Sequence, residues 1–536
     1  MTSHIRVLPR DVLIDVKEGR SMLSALAGKR LNLYAVCGGK GLCGSCRARV
    51  EGDAPAPDEQ ESKLLTSEEL ADGWRLLCRL FPRKDSTLTV NLEDTELLSS
   101  FALDGPFETQ PFGFAIDIGT SKLAVYLVSL STGQVLSSMA VPNPQSSFGE
   151  DLITRLHAAE DSVEADAMKN ILVEELNSCF DRLAEGVSFE AMDACEVVAV
   201  GNTAMHHLFL GLPISQLCRN PFNPSSSSAR DLRARDLGLR VMPTSHIHMP
   251  ALIGGFVGSD HLAALVASRV FLRGAPTLLV DIGTNTEVTL VSGGRLSCCS
   301  CASGPAFEGA GIRYGLRARE GAISRVSVDE NERLVVETMG DGPPKGICGS
   351  GIVDALACML RLGSVEASGR LVKGAPGVRE EDGDIVFLLA ERAGEKPITI
   401  SQDDVREIQK AKGAIRGGIE MLLERACVKG GDLETIILAG SFGSFIDPAS
   451  ALALGMFPPL PPESFMQAGN AAGMGARVLL CSVEERVRSE SLAREVEHVD
   501  LASYPGSGYF FAACMTFGEK ALQKSLKRFL NATRSQ

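Results

Sequence analysis

Several features of common protein classes are scarce or missing in this chain of 536 residues. Basic residues are not in excess, since 53 lysines and arginines stand against 67 aspartates and glutamates and leave a net charge of −14. A protein that binds nucleic acid needs a basic face for the phosphates, so we expect no nucleic-acid partner. No apolar run approaches the roughly 18 residues of a membrane span. The N-terminus also lacks the apolar region of a signal peptide, so we expect a cytoplasmic protein without a membrane partner.

The chain is too long for one hydrophobic core, because single cores rarely grow past roughly 250–300 residues. Its 15 cysteines are an odd number and are spread unevenly. In a reducing cytoplasm such thiols are buried, catalytic or metal-bound more often than paired in disulfides. We therefore look for clusters of cysteines rather than for a disulfide framework.

The glycine-rich stretch VCGGKGLCGSC, residues 36–46, allows two different functions. Gly39, Gly41 and Gly44 match the G-x-G-x-x-G fingerprint of dinucleotide-binding proteins. That fingerprint has to open a helix, whose N-terminus then meets the pyrophosphate. Residues 47–57 instead predict a short strand and a proline-rich turn. The dinucleotide interpretation therefore fails on its context.

The same stretch supports a metal centre. Cys37, Cys43 and Cys46 place three thiols on one tight loop, and Cys78 follows in an apolar strand. This spacing resembles the adrenodoxin-like variant of the [2Fe–2S] ferredoxin fold, with a first gap one residue longer than in plant-type ferredoxins. A structural zinc site usually has two C-x2-C pairs, and only one is present, so zinc ranks second and unligated thiols third. We predict a β-rich [2Fe–2S] domain.

A second pattern is a duplication. The sequence D-I-G-T begins at Asp117 and again at Asp281, each time between apolar runs and followed by a second strand and a turn. Such a turn presents backbone N–H groups and a hydroxyl to phosphate oxygens, and the aspartate beside it would hold Mg²⁺ or its waters. The alternative is a pair of ordinary β-turns. The candidate phosphate contacts are Gly119, Thr120, Ser121 and Lys122 in the first turn and Gly283, Thr284 and Asn285 in the second.

Further candidates for a nucleotide site follow the second D-I-G-T. The buried strand that begins at Glu434 ends in a glycine turn, where Gly440, Ser441 and Gly443 would let a ribose and base approach the backbone. Glu308 lies in a glycine-rich loop and is a candidate for orienting water, which would make it catalytic together with Asp117 and Asp281. No G-x-x-x-x-G-K-[ST] sequence occurs, which excludes a P-loop.

A helix is predicted over Asp403–Arg425, with a capping box formed by Ser401 and Asp404. Lys412 in this helix is a further candidate nucleotide contact. The helix contains three glycines, and close packing or a bound nucleotide explains them equally well. They are Gly413, Gly417 and Gly418.

The two hairpins and the A-G-S-F-G turn resemble the phosphate-1, phosphate-2 and adenosine motifs of the ASKHA superfamily, which encloses ATP between two related domains. Asn202 and Asn470 fall where that superfamily has its two interdomain connections. Together with the cysteine loop, the chain resembles the reductive activators of corrinoid-dependent methyltransferase systems, the RACo-like proteins. Residues 201–210, 304–310, 347–352 and 404–414 carry much of this resemblance.

The resemblance implies an α/β and α+β multidomain protein. Its parts would be a β-grasp [2Fe–2S] ferredoxin-like domain over 1–95, a linker over 96–112, and an actin-like (RNase H-like) ASKHA ATPase with subdomains at 113–205 and 206–536. It further implies ATP-dependent reduction of a corrinoid protein from Co(II) to Co(I), with ATP, Mg²⁺ and a [2Fe–2S] cluster as cofactors. The partners would be the corrinoid protein of a methyltransferase system and a low-potential electron donor, and a homodimer remains open.

Two alternatives share the same sequence features. The chain could activate another low-potential acceptor with ATP, or it could be a nucleotide-binding iron–sulfur redox sensor. Other eye-catching residues have plainer explanations. The pair His206 and His207 on an apolar helix is expected to be structural, and the cysteines at 298, 299 and 301 are expected in a packed strand. The segments 223–229 and 369–384 are typical of surface loops, and 484–497 is typical of a solvated helix.

Overall fold

The structure is a computed structural model that describes residues 2–8, 12–17, 19–27, 46–83, 87–91, 111–149, 151–187, 189–220, 222–340, 342–392, 394–443 and 445–533. Cys37 and Cys43, two of the predicted cluster ligands, lie outside the described residues, as does nearly all of the predicted linker.

The N-terminal helices and strands, in chain order up to residue 91, are β1 (Thr2–Leu8), β2 (Val12–Lys17), α1 (Met22–Ala27), β3 (Arg47–Gly52), α2 (Glu59–Leu64), α3 (Ser67–Ala71), β4 (Trp74–Leu76) and β5 (Thr87–Asn91). From residue 112 they are β6 (Phe112–Ile118), β7 (Lys122–Ser129), β8 (Val135–Pro142), α4 (Leu152–Ala158), α5 (Ser162–Glu185), β9 (Glu196–Gly201), α6 (Thr203–Leu210), β10 (Arg230–Arg233), β11 (His246–Met249) and α7 (Ser259–Ser268).

The elements that follow are β12 (Thr277–Ile282), β13 (Thr286–Ser292), β14 (Arg295–Cys301), β15 (Ala322–Val328), β16 (Leu334–Thr338), β17 (Gly346–Ile347), α8 (Gly349–Arg361), β18 (Val378–Glu381), β19 (Asp384–Ala390), β20 (Ile398–Ser401), α9 (Gln402–Arg425), β21 (Thr435–Ala439), α10 (Gly440–Gly443), α11 (Pro448–Ala453), β22 (Phe465–Gly469), α12 (Ala471–Cys481), α13 (Val483–Glu495), β23 (Val496–His498), α14 (Ser507–Cys514) and α15 (Glu519–Thr533). Short 3-10 helices lie at Pro144–Phe148, Ala191–Asp193, Ala234–Leu237, Val270–Leu272, Pro305–Glu308, Gly430–Asp432 and Pro462–Ser464.

The N-terminal part is a small mixed sheet with the strand order β2-β1-β5-β3-β4. Its first strand alternates between buried Ile5 and Val7 and exposed His4 and Arg6, as expected when one face of a strand is buried. Strand β1 pairs antiparallel with β2 and parallel with β5, which in turn pairs antiparallel with β3. This is the β-rich arrangement that the sequence predicts for the domain with the four cysteines.

The chain divides into two compact units, Met1–Arg269 with Met466–Glu495, and Val270–Phe465 with Val496–Gln536. This division differs from the predicted boundary between residues 205 and 206. The reason is that β11 pairs parallel with β9 and β10 pairs with β11, so both strands continue the sheet of the first unit beyond α6. The segment 466–495, predicted in the second subdomain, also belongs to the first unit.

The internal duplication is visible as repeated topology. In the first unit β9 runs parallel to β6, which starts the antiparallel meander β6-β7-β8. In the second unit β21 runs parallel to β12, which starts the antiparallel meander β12-β13-β14. Both D-I-G-T sequences stand at the same place, where the first strand of the meander ends. The predicted duplication and ASKHA-type fold are therefore confirmed.

Helix α9 begins one residue before the predicted start and has the predicted capping box of Ser401 and Asp404. Its three glycines lie against protein. A Cβ on Gly413 would lie 2.9 Å from Met515 Cγ, one on Gly417 would be 3.5 Å from the Phe511 backbone, and one on Gly418 would meet the sulfur of Cys301. Close packing thus accounts for Gly413 and Gly418, whereas the space at Gly417 would admit a Cβ, and Cys301 is a buried residue of β14, as predicted for the cysteine group.

Two predictions about surface segments are only partly right. The segment 369–384 is not all loop, because it contains strand β18, which pairs antiparallel with β19. The charged segment 484–497 is helical to Glu495 and then enters β23, which pairs parallel with β14. None of the helices in the described residues has the length and hydrophobicity that a membrane crossing requires.

Candidate functional site

Cys46 and Cys78 are brought together by the pairing of β3 with β4. Arg47 lies opposite Leu76 in this antiparallel pair, and the Leu77 N–H donates to the Cys46 carbonyl at 2.9 Å. Both cysteines are buried in one apolar cluster with Leu65 and Leu76. Buried thiols in an apolar environment are the donor set of an iron–sulfur centre, so the described half of the predicted ligand set fits a [2Fe–2S] cluster.

A buried ion pair fixes the strand that leads to Cys78. Glu61 has no exposed surface, and both of its carboxylate oxygens accept from Arg75, at 2.9 Å from Nε and 2.7 Å from Nη2. Glu61 also accepts from the Leu76 N–H at 2.9 Å, while Arg75 donates to the Pro55 carbonyl at 2.7 Å. A bidentate pair of this kind restrains direction as well as distance, so it holds β4 in place two residues before Cys78.

In the first unit, Asp117 stands near the end of β6 with part of its surface exposed. Asn470 donates from Nδ2 to Asp117 Oδ2 at 2.9 Å and to the Tyr126 hydroxyl oxygen at 3.2 Å. The surrounding protein raises the pKa of the Asp117 carboxyl to about 6, because burial disfavours the charged form more than the Asn470 hydrogen bond favours it. Asp117, a predicted catalytic residue, therefore contacts Asn470, which the sequence places at an interdomain connection.

The first turn is also in contact with the other predicted connection. Asn202 caps α6 and donates from Nδ2 to Thr120 Oγ1 at 2.9 Å. Thr120 is buried, whereas Lys122, at the start of β7, is exposed. A Cβ on Gly119 would lie 2.6 Å from the Lys122 carbonyl oxygen, so only glycine fits there.

The raised pKa of Asp117 predicts a pH-dependent effect on stability without nucleotide or metal. Because the folded-state pKa lies above the usual value of 3.8, the wild-type chain loses stability as the pH rises through about 6. We expect Asp117→Asn to raise the Tm by a few degrees at pH 7.5 and to leave it unchanged at pH 4. Differential scanning calorimetry measures both. Asp181→Asn, at an exposed carboxylate paired with Arg240, is the control, and a gain for Asp117→Asn that is equal at both pH values would contradict the argument.

In the second unit the corresponding residues also gather. Asp281, near the end of β12, lies directly opposite Glu287 on β13. Thr284 donates from Oγ1 to Glu308 Oε1 at 2.6 Å, and the Gly283 N–H donates to the Asn285 carbonyl at 3.1 Å. The structure therefore brings the second turn together with the predicted catalytic carboxylate.

The glycine turn after β21 lies against the same hairpin. Gly440 has a positive φ of 86°, and a Cβ there would lie 2.7 Å from Asp281 Oδ1. Phe442 stacks on Phe307, with ring centroids 4.6 Å apart, and so joins this turn to the loop of Glu308. Gly443 ends the short helix α10; the side chain of Ser441 lies outside the described part of the structure. The phosphate-2 and adenosine motifs thus form one group.

Glu287 lies beside Asp281 and is a further candidate that the sequence patterns do not single out. It is almost fully buried and accepts from the Ser300 hydroxyl at 3.0 Å. Residues directly opposite in an antiparallel pair have side chains on the same face of the sheet. Its carboxylate and that of Asp281 are therefore on one face of the sheet. In the sequence, the only indication of this is that an acidic residue follows Asp281 by six positions.

A pocket of about 320 Å³ opens beside the second turn. Ser303 in its wall bonds to Thr286 Oγ1 at 2.8 Å and donates to the Thr284 carbonyl at 3.4 Å. Glu407 and Lys410 of α9 form its charged side and are paired at 2.6 Å. The full lining is Ala302, Ser303, Gly304, Pro305, Ala306, Ala310, Gly311, Glu407 and Lys410. Its size suits part of a nucleotide, and both charged residues lie in the 404–414 stretch that carries part of the family resemblance, although neither is distinguished there.

The pocket leads to a prediction about the affinity for ATP rather than about the rate of ATP hydrolysis. If it takes the nucleoside, Glu407→Ala removes a hydrogen-bond acceptor from the binding surface, and we expect the KM for ATP to rise about tenfold with kcat changed little. Steady-state ATPase assays measure both constants. Glu424→Ala, on the same helix but bonded to the Tyr504 hydroxyl, is the matched control. An unchanged KM for Glu407→Ala would exclude the pocket from nucleotide binding.

Lys412 is not placed where a nucleotide contact needs it. Its side chain is 1% exposed, and Nζ donates to the carbonyls of Cys514 at 2.7 Å and Thr516 at 2.6 Å. Burial lowers the pKa of its ammonium group to about 7. These contacts give Lys412 a structural role on the face of α9 that holds the C-terminal helices, and they lend no support to the predicted nucleotide contact.

Of the two histidines of α6, His207 has hydrogen bonds that fit the expected structural role. Both are fully buried, and burial lowers the pKa of His206 to about 3. His207 bonds through Nδ1 to the Thr203 carbonyl at 2.7 Å and accepts from the Ser225 N–H at 3.1 Å through Nε2. Both ring nitrogens of His207 are therefore used within the fold.

Comparisons with known proteins match three family models to the chain. Residues 5–83 match the model of a 2Fe–2S iron–sulfur cluster binding domain, 112–271 that of the RACo middle region, and 275–526 that of the C-terminal domain of RACo, the ASKHA domain. The corrinoid activation enzyme RamQ of Eubacterium limosum is 34% identical over 431 residues, which cover 77% of this chain and 71% of that protein. The chain belongs to the RACo family.

Two further proteins are similar to this chain over most of its length. A protein of Methanosarcina barkeri, the [Co(II) methylated amine-specific corrinoid protein] reductase, is 27% identical over 408 residues, 69% of this chain and 70% of its own. A solved structure of a reductive activator for corrinoid, iron–sulfur protein superposes with a TM-score of 0.71 at 26% identity, covering 97% of this chain and 99% of that one. The fold class and the family resemblance predicted from the sequence are thereby confirmed.

Proposed function

We propose that this chain is an ATP-dependent activase that reduces the Co(II) form of a corrinoid protein to Co(I). The observation that carries the proposal is the combination, in one RACo-family chain, of two buried cysteines, just before β3 and just after β4 of the ferredoxin-like sheet, with two D-I-G-T hairpins. Relatives described as a corrinoid activation enzyme and as a Co(II) corrinoid protein reductase support it. A corrinoid protein is therefore the proposed acceptor, and a low-potential reductant the proposed electron donor.

The thiolates of Cys37, Cys43, Cys46 and Cys78 would hold the cluster. A [2Fe–2S] cluster supplies one-electron transfer when it is bound. The protein contributes the burial of Cys46 and Cys78 and the rigid strand β4, fixed by the Glu61–Arg75 pair. Burial and ligand rigidity are the means by which a protein sets the properties of such a centre.

In this proposal the motif residues bind ATP and promote its hydrolysis. The turns at 119–122 and 283–285 bind phosphate oxygens through their N–H groups and hydroxyls. Asp117 and Asp281 hold Mg²⁺ or its waters. Glu308, placed by Thr284, orients the water that attacks the terminal phosphate. Gly440, Ser441, Gly443 and the pocket beside Glu407 receive the nucleoside.

Hydrolysis is needed because Co(I) is a strong reductant and its formation is uphill from ordinary donors. Each 59 mV of a one-electron step corresponds to about 1.4 kcal/mol. The chain would bind the Co(II) protein in a state that is easier to reduce, and ATP hydrolysis would reset the complex. A ligand can shift such an equilibrium only through different affinities for its two states.

The test is an anaerobic assay with the purified chain, a chemical reductant, Mg-ATP and a Co(II) corrinoid protein, following the Co(I) absorbance. We expect Co(I) to appear with ATP and not with ADP or without the chain. A corrinoid protein should also stimulate ATP turnover, which separates the activase from a redox sensor. No ATP-dependent Co(I) with several candidate corrinoid proteins would refute the proposed reaction.

A further inference from the structure

The backbone of the first D-I-G-T turn is tied to the fold from one side. Asn143 donates from Nδ2 to the Gly119 carbonyl at 2.9 Å, and its N–H donates to the Ser121 carbonyl at 3.0 Å. Between them, Arg155 donates from Nη1 to the Thr120 carbonyl at 2.7 Å. Three successive carbonyls of the turn therefore accept hydrogen bonds from Asn143 and Arg155.

This arrangement determines where the N–H groups point. In a planar trans peptide the C=O and the following N–H point in opposite directions. Because the carbonyls of Gly119 and Thr120 face Asn143 and Arg155, the N–H groups of Thr120 and Ser121 are directed to the other side. Successive N–H groups held in this way form an anion-binding concavity.

Arg155 is built into the fold rather than lying on its surface. It is in helix α4, whose N-cap Asp151 accepts from the Thr154 N–H, and it has no exposed surface. Its Nε donates to the Gly149 carbonyl at 2.7 Å. Burial lowers the pKa of the guanidinium to about 10, so it still carries its charge at neutral pH. A charge buried at this depth interacts more strongly with a nearby anion than a surface charge does.

In the second turn, a different kind of group donates to the corresponding carbonyl. There the Ser303 hydroxyl donates to the Thr284 carbonyl at 3.4 Å, so the corresponding contact is longer and is made by a neutral group. The duplicated hairpins therefore differ in the charge placed beside them. The first turn has a buried cation behind its central peptide.

We propose that Arg155 is a positioning residue for the terminal phosphate of ATP, acting through the carbonyl of Thr120. It orients the N–H groups of the 119–121 turn, and its fixed positive charge favours the more highly charged nucleotide. The inference rests on the proposed nucleotide-binding function. Arg155 lies 35 residues from Thr120 in the chain, and no motif marks it.

The test compares the Kd values for Mg-ATP and Mg-ADP in the full-length chain and in Arg155→Met and Arg155→Lys. Loss of a hydrogen bond from a charged group predicts at least a roughly tenfold weaker Kd for Mg-ATP in Arg155→Met. The Kd for Mg-ADP should rise less, so the preference for ATP over ADP narrows. Arg155→Lys keeps the charge and one donor and should regain part of both effects.

The matched control is Arg416→Met, which removes an arginine that is equally buried and also donates to backbone carbonyls, those of Gly455 and Phe457. All chains are measured well below their own Tm. A change in the ATP-to-ADP preference in Arg416→Met as large as in Arg155→Met would overturn the inference, because general destabilisation would then explain it. An ATP-to-ADP preference in Arg155→Met equal to that of the wild type would also overturn the inference. A wild-type chain that binds neither nucleotide would refute the proposed nucleotide function itself.

Discussion

Replacing Cys78 with serine should abolish the visible absorbance of the iron–sulfur centre and reduce ATP-dependent Co(I) formation by roughly a hundredfold or more, since the centre needs four thiolate ligands. Cys78 is buried beside Cys46 at the end of the strand that Glu61 and Arg75 hold in place. A hydroxyl is a much poorer ligand for iron than a thiolate. Iron and sulfide analysis, the absorption spectrum and the Co(I) assay measure the effect.

Nucleotide binding should survive this substitution, because Cys78 lies in the turn after β4 of the ferredoxin-like sheet and the hairpins lie in other sheets. Cys427→Ser is the matched control, since Cys427 is exposed and belongs to no motif. It should retain the full iron content. A Cys78→Ser chain that keeps the wild-type spectrum would show that the cysteine is not a ligand, and a colourless wild-type chain without iron would refute the cluster itself.

The second large effect is expected for Glu308→Gln. The amide oxygen can still accept the hydrogen bond from Thr284 Oγ1, which spans 2.6 Å in the wild type, so the loop should keep its shape. The carboxylate that polarises the attacking water is lost, and removal of a general base lowers kcat by roughly 10²–10⁴-fold. We expect kcat for ATP hydrolysis to fall in this range while the Kd for Mg-ATP changes little.

Presteady-state measurements separate the two constants, with single-turnover hydrolysis for the chemical step and equilibrium binding for the Kd. Glu320→Gln is a suitable control, because Glu320 is an exposed carboxylate of the same unit outside the motifs. If Glu308→Gln hydrolyses ATP at the wild-type rate, another group activates the water. Glu287, which faces the same side of the hairpin as Asp281, would then be the next residue to replace.

Local patterns in the sequence were sufficient for the repeated hairpins and the capped helix α9, because each depends on residues close together in the chain. The bounds of the two units could not be predicted from local patterns. Their boundary depends on which strands pair, and β11 joins β9 across about 45 residues. Nothing in residues 206–249 taken alone indicates that pairing.

The same limit applies to individual site residues. Thr284 and Glu308 are candidates because each lies in a recognisable motif. Arg155 lies in none, and Glu407 is not distinguished within the 404–414 stretch, so the case for both rests on the elements that they contact. Lys412 is the opposite case: it lies in a stretch that carries the resemblance, but its Nζ donates to carbonyls of the C-terminal segment. Position along a helix indicates a face only when the neighbours of that face are known.

Each unit is built from two separate segments, and the segments of the two units alternate along the chain. This has a consequence for synthesis on the ribosome. Residues 466–495 complete the first unit, and residues from 496 onward, including α14 and α15, complete the second. The ferredoxin-like sheet draws its described strands from the first 91 residues alone. Since domains fold as their segments emerge, that sheet can form early in translation. The first unit is complete only once residue 495 has been made, and the second needs residues beyond it, so a chain cut short before residue 466 should leave a folded N-terminal sheet and neither unit complete.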